Sequence, residues 1–177
     1  MRKVSIPVLL LAILVLTLAA VPAGAQGNNR RFTTSLRGFE EVPAISTLGR
    51  GQFEATLDED GTEMSYRLVY SNLTGNVLQA HIHFAQEGVN GGIMVFLCSN
   101  LGNGPAGTPA CPAPGTPVEG TVDAADVIAG AASQGIPPGQ LGPVLRAMRG
   151  GVTYVNVHTN VYPAGEICGQ LDFRGRP

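Results

Sequence analysis

The chain has only three histidines. Two stand one residue apart, in Gln79-Ala80-His81-Ile82-His83-Phe84. On a β-strand alternate side chains share a face. His81 and His83 then point one way, while Leu78, Ala80, Ile82 and Phe84 point the other way into a core. The third, His158, lies in Tyr154-Val155-Asn156-Val157-His158-Thr159. A His-x-His strand plus a third imidazole from a neighbouring strand makes a three-nitrogen site that suits zinc or copper. Cys168 or Glu166 would supply a fourth position. An open fourth position with Glu166 as general base would give a metalloenzyme, such as a hydrolase using zinc-bound water. The competing reading is of partly exposed histidines hydrogen-bonded to neighbours, with no metal.

The elements that must position these side chains read as β-strands. Alternation runs through residues 32–37, 51–57, 64–70, 77–84, 152–159 and 166–173. Residues 93–98 are almost continuously apolar, as in a strand buried on both faces. Asp58-Glu59-Asp60-Gly61 reads as a hairpin turn. Residues 117–122 read as a further short strand, and 123–132 fit either a strand end or a short helix. Leu141, Val144, Leu145 and Met148 have helical spacing and predict one short helix, stopped by Gly150-Gly151. The fold expected is all-β: a mainly antiparallel, Greek-key-like sandwich or barrel of about seven to nine strands with that one helix. Parity then gathers the chemistry. Val155 and Val157 define a core face, so Asn156 and His158 lie opposite. Ile167, Leu171 and Phe173 do the same for Glu166, Cys168 and Gln170. All three histidines, a carboxylate and a cysteine therefore avoid the core-facing side. Glu40 and Glu41 read as residues of a solvated loop.

Arg2 and Lys3, an apolar run over residues 8–20 and Ala23-Gly24-Ala25 form a secretory leader. Cleavage after residue 25 is expected, with no stable membrane anchor afterwards. Residues 26–31 then form a flexible start and 32–175 a single domain, a chain of about 150 residues being long enough for one core. Localisation is expected to be secreted, extracellular or periplasmic. The full chain carries a formal charge of −2, with no basic footprint for nucleic acid. An extracellular protein, a polymer or a metal ion is the partner expected. Cys98 and Cys111 flank a Pro/Gly-rich loop and are the favoured disulfide, with Cys168 unpaired or an alternative partner. Closing so short a loop contributes about 3 kcal/mol on a chain-entropy account. No P-loop, dinucleotide fingerprint or Gly-x-Ser-x-Gly is present.

The stretches Leu36-Arg37-Gly38-Phe39-Glu40-Glu41-Val42-Pro43, Ala80-His81-Ile82-His83, Gly91-Gly92, Tyr154-Val155-Asn156-Val157-His158-Thr159 and Pro163-Ala164-Gly165-Glu166-Ile167 occur in this order. In that order they resemble the CHRD domain, named for the extracellular protein chordin and also found in secreted bacterial proteins. The resemblance spans nearly the whole predicted domain. It implies an extracellular β-sandwich or barrel module, not a characterised enzyme, and it makes His81, His83 and His158 its most distinctive polar positions. One departure is Cys168, which stands where the family usually has an arginine; a disulfide to Cys168 would displace the Cys98–Cys111 pairing. A looser similarity to copper–zinc superoxide dismutase rests on the His-x-His strand alone. Its other ligand motifs are missing, and three histidines are too few for its two-metal site. The reading is a secreted, non-catalytic module binding a ligand or partner, with His81, His83, His158, Glu166 and Asn156 as binding residues. The alternative is a copper- or zinc-binding protein, or a metalloenzyme, built on the three histidines.

Overall fold

A computed structural model describes residues 30–173; the expected leader and its cleavage site lie outside them. Nine strands form one sheet: β1 (Arg31–Arg37), β2 (Arg50–Leu57), β3 (Met64–Ser71), β4 (Val77–Phe84), β5 (Gly92–Ser99), β6 (Val118–Val122), β7 (Thr153–Thr159), β8 (Ile167–Gln170) and β9 (Asp172–Phe173). Their order is β5-β4-β7-β8-β1-β2-β3-β6, with β9 beside β1. Every pairing is antiparallel. The two end strands, β5 and β6, approach each other, so the sheet curls into a nearly closed barrel. The chain leaves β3 for β4 and β6 for β7 by crossing over the barrel ends, which is a Greek-key path.

Period-two patterning produces this. In β2 buried and exposed residues alternate without a break, Phe53, Ala55 and Leu57 inside and Gln52, Glu54 and Thr56 outside. The β2–β3 turn is closed by Asp58, whose carboxylate accepts from Thr62 N, Thr62 Oγ1 and Glu63 N, and Gly61 takes φ 74° there. β5 is buried on both faces, as its apolar run predicts. The residues between β6 and the helix form two 3-10 segments, Ala124–Asp126 and Ala129–Gln134. Helix α1 (Leu141–Gly150) places Leu141, Val144, Leu145 and Met148 in the barrel core and ends at Gly151 in the left-handed region.

Two details depart from the pattern reading. The last strand is interrupted at Leu171, whose N–H donates to Thr153 O, so β8 and β9 are separate segments. Leu78 and Phe84, at the ends of β4, are only partly covered, whereas Ala80 and Ile82 have no exposure at all. The Cys98–Cys111 disulfide is present and Cys168 is a free, buried thiol. Asn100 reinforces the tethered loop, accepting from Cys111 N and donating to Val77 O and Cys111 O.

Candidate metal centre

β4 and β7 are neighbours in a register that sets Gln79 opposite His158, His81 opposite Asn156, and His83 opposite Tyr154. Asn156 in turn faces Cys168 on β8. The parity read from the sequence therefore holds: His81, His83, Asn156, His158 and Cys168 share the barrel's outer face. On its other edge β4 pairs with β5 through two register shifts, between Ala80 and His81 and between Ile82 and His83. Bulges of this kind re-aim side chains, and these two flank the two histidines.

This outer face is not exposed. All seven residues of β7 are buried. His81, His83 and His158 are 0 %, 7 % and 6 % exposed, which removes the reading of them as surface histidines. Three connections do the covering. Residues 85–91 bring Gly91 O to within 3.0 Å of His83 Nδ1 and Gly91 N onto the Tyr154 hydroxyl. Residues 160–165 bring Pro163 O to 3.1 Å from His158 Nδ1. Residues 38–49 carry Glu41 to Asn156, and Asn90 ties this loop to the first by donating to Val42 O.

These contacts fix the proton on each ring. A carbonyl can only accept, so His83 Nδ1–H donates to Gly91 and His158 Nδ1–H donates to Pro163. The Nε2 atom of a neutral ring is then a bare lone pair. His81 Nδ1 lies 3.1 Å from His158 Nε2 and must be the donor of that bond. His81 Nε2 is bare in consequence. Among the described residues His81 Nε2 and His83 Nε2 are buried with no hydrogen-bond partner, and an orphaned buried acceptor costs about 1–3 kcal/mol. Burial, reinforced by His158 and then His83, pushes the His81 pKa down to about 2. Burial, with His83 adding and Pro163 opposing, pushes His158 down to about 4. Burial also lowers His83, against the pull of its bond to Gly91. Three neutral imidazoles therefore stand ready as ligands at neutral pH.

The donor atoms of the three histidines lie within 4.8 Å of one another. Two nitrogens held at about 2.1 Å by one ion are about 3.4 Å apart in a tetrahedral site and never more than about 4.2 Å. The 3.1 Å pair, His81 Nδ1 and His158 Nε2, is already there, and separations of up to 4.8 Å close by about 1.4 Å or less on side-chain adjustment. Backbone carbonyls holding Nδ1–H on two of the rings are the outer-shell contacts that orient metal-binding histidines.

The expected fourth donors are not in this cluster. The Glu166 carboxyl is fully buried and engaged elsewhere: Oε1 accepts from Thr47 Oγ1 and Thr74 N, both at 2.7 Å, and Oε2 from Thr159 Oγ1 at 2.9 Å. It ties the 38–49 connection and the β3–β4 turn to the end of β7, and is neither a ligand nor a free base. Cys168 does not join the cluster either. It lies across Asn156 from His81 and contacts Glu41.

Glu41 is the residue that pattern reading misplaced. It is 7 % exposed, not solvated, with Oε1 buried and unpartnered and Oε2 at 3.5 Å from Asn156 Nδ2. Burial raises its pKa to about 7, while hydrogen bonds from Cys168 and Asn156 pull it back and Glu166 adds to the rise. Burial also pushes the Cys168 thiol up, with Glu41 and Glu40 adding. Gly165 lets this happen: a Cβ there would meet Asn156 and Glu41 at 2.6 Å, at a φ of +139°. A glycine two residues before the Ile167–Gln170 strand was the one sequence signal of such a close approach.

A family model for the CHRD domain matches residues 32–171. The chain belongs to the CHRD domain family. No curated protein and no solved structure matches it. The matched CHRD span contains every residue of the cluster and all three connections that cover it, so the buried histidine centre lies wholly inside the domain. No helix among the described residues is long and apolar enough to cross a membrane.

Proposed function

We propose that this protein is an exported, non-catalytic CHRD module that binds one transition-metal ion, copper or zinc, through His81, His83 and His158. The observation that carries the reading is the buried, unpartnered Nε2 lone pair of His83 beside the 3.1 Å pair of His81 Nδ1 and His158 Nε2, with the opposite nitrogens of His83 and His158 held by backbone carbonyls. Neutral imidazoles desolvated without partners are costly to keep unless an ion takes them up. A catalytic reading finds less support, because hydrolysis by metal-bound water needs an open position and a free base. The cluster is covered by three connections, and Glu166 is committed to threonines 47 and 159 and to the backbone of Thr74. Export is supported by the leader-like first residues and by the disulfide. Elemental analysis of the untagged chain, purified and then incubated with copper or zinc, tests the reading. One ion per chain is expected, absent from a His81/His83/His158→Ala variant. A metal content well below one per chain after loading would defeat it.

A further inference from the structure

The surroundings of the three histidines say which ion they suit. All donors in the cluster are neutral nitrogens, and no carboxylate or thiolate joins them among the described residues. The nearby acids do not supply charge by another route. Glu166 faces away, onto Thr47, Thr74 and Thr159. Glu41 contacts Asn156 and Cys168 rather than a histidine. The walls are aromatic: Phe96 meets the His81 ring edge-on at 4.4 Å between centroids, and Tyr154 stacks on His83 at 4.8 Å. The cleft between two of the covering loops, about 20 Å³, is lined by Tyr154, Cys168 and Gln170 and by none of the histidines.

A divalent ion in such a place keeps both charges uncompensated. Its desolvation cost grows with the square of its charge, roughly four times that of a monovalent ion of similar size. Zinc also seeks a fourth ligand, normally a water or an anionic side chain; no anionic side chain joins the cluster among the described residues, and the burial of all three rings works against an added water. A monovalent d¹⁰ ion that is satisfied by three nitrogens meets no such conflict. Resting on the three-histidine reading above, we infer that the site is built for copper(I), held three-coordinate by His81, His83 and His158 and shielded from water. The ion replaces the His81–His158 hydrogen bond, the His81 proton passing from Nδ1 to the bare Nε2 of the same ring, and takes the free lone pair of His83; no electron is transferred and no proton leaves the three histidines.

The test uses the untagged chain with its disulfide intact. Copper is kept reduced by ascorbate under argon and titrated in competition with bicinchoninate, a chromophoric copper(I) chelator. Zinc(II) and copper(II) are titrated separately against chelators of known affinity. One copper(I) per chain is expected, bound at least 100-fold tighter than zinc(II), with X-ray absorption showing three nitrogens and no sulfur. Because Cys168 is a soft donor nearby, Cys168→Ser is measured too and retains the same stoichiometry. His158→Gln loses the tight site, and the absorption spectrum of the unsubstituted chain supplies an answer even if that variant fails to fold. Zinc(II) or copper(II) binding as tightly as copper(I), or a sulfur in the spectrum, overturns the inference while leaving a metal-binding protein. No binding of any of the three ions overturns this inference and the proposed function together.

Discussion

The barrel has two kinds of outer face. Around β1, β2 and β3 it is open to water, and Thr56, Ser65, Glu54 and Arg67 stand exposed between buried neighbours. Around β4, β7 and β8 the same alternation delivers His81, His83, Asn156, His158, Glu166 and Cys168 to the outside, and every one of them is buried. The strands do not explain the difference. The connections do: β2 and β3 are joined by a short turn, whereas residues 38–49, 85–91 and 160–165 lie down over β4, β7 and β8. Polar side chains on a strand become a site when a loop removes their water and returns only part of their hydrogen bonding.

The largest effect should come from loosening that cover. Glu166 is the acceptor for Thr47, Thr74 and Thr159 and so pins three segments at once. Glu166→Ala leaves these donors without a partner and should destabilise the fold by about 3–5 kcal/mol. Chemical denaturation measures this directly. A loss below about 1 kcal/mol would mean that the covering loops are held by something else.

A second contrast lies inside the covered face, between buried bases and a buried acid. The Glu41 pKa is raised from 4.5 to about 7. Its contribution to stability is therefore complete below pH 4.5 and is lost as the pH rises through about 7. The histidines run the other way. Their pKa values are lowered from 6.5, so their contribution is complete above pH 6.5 and falls away as the pH drops. Cys168, Asn156, Glu166, Glu40 and Tyr154 are the other polar groups around Glu41 and Cys168. In metal-free protein, Glu41→Gln should gain on the unsubstituted chain by on the order of 3 kcal/mol between pH 4.5 and pH 8. Urea melts across that range give the difference curve, and a flat one would place the Glu41 carboxyl in water.

Much of the open face was legible in the sequence, because alternation there means inside and outside in the plain sense: Phe53 and Leu57 against Glu54 and Thr56. The covered face was legible only in part. Parity correctly gathered His81, His83 and His158 on one side of two adjacent strands, but it could not say that this side is dry. It also grouped Glu166 with the histidines, since parity fixes the face and not the direction in which a long side chain leans. Glu41 was missed because its position depends on how a loop folds back, which no strand period encodes. Gly165 marked the spot, as only a residue without a Cβ lets the chain pass Asn156 and Glu41. Gly165→Ala should therefore cost about 1–3 kcal/mol, between the two changes above and any change on the open face. A variant as stable as the parent would show that Asn156 and Glu41 can move aside.

The smallest effect belongs to the open face, where the comparison can be turned round. Arg67 donates to Glu119 at 3.0 Å across β3 and β6, and Arg31 donates to Glu54 at 2.6 Å across β1 and β2. These bonds fall within about 0.3 Å of those of Glu166, yet all four side chains are about half exposed. Water competes for each charge, and salt screens what remains. A double-mutant cycle on Arg67→Ala and Glu119→Ala should give a coupling of about 0.2–1 kcal/mol that shrinks further in 1 M salt. A coupling of several kcal/mol would contradict the view that desolvation, and not hydrogen-bond length, separates the two faces. The same geometry is worth little where water remains and a great deal where the loops have excluded it.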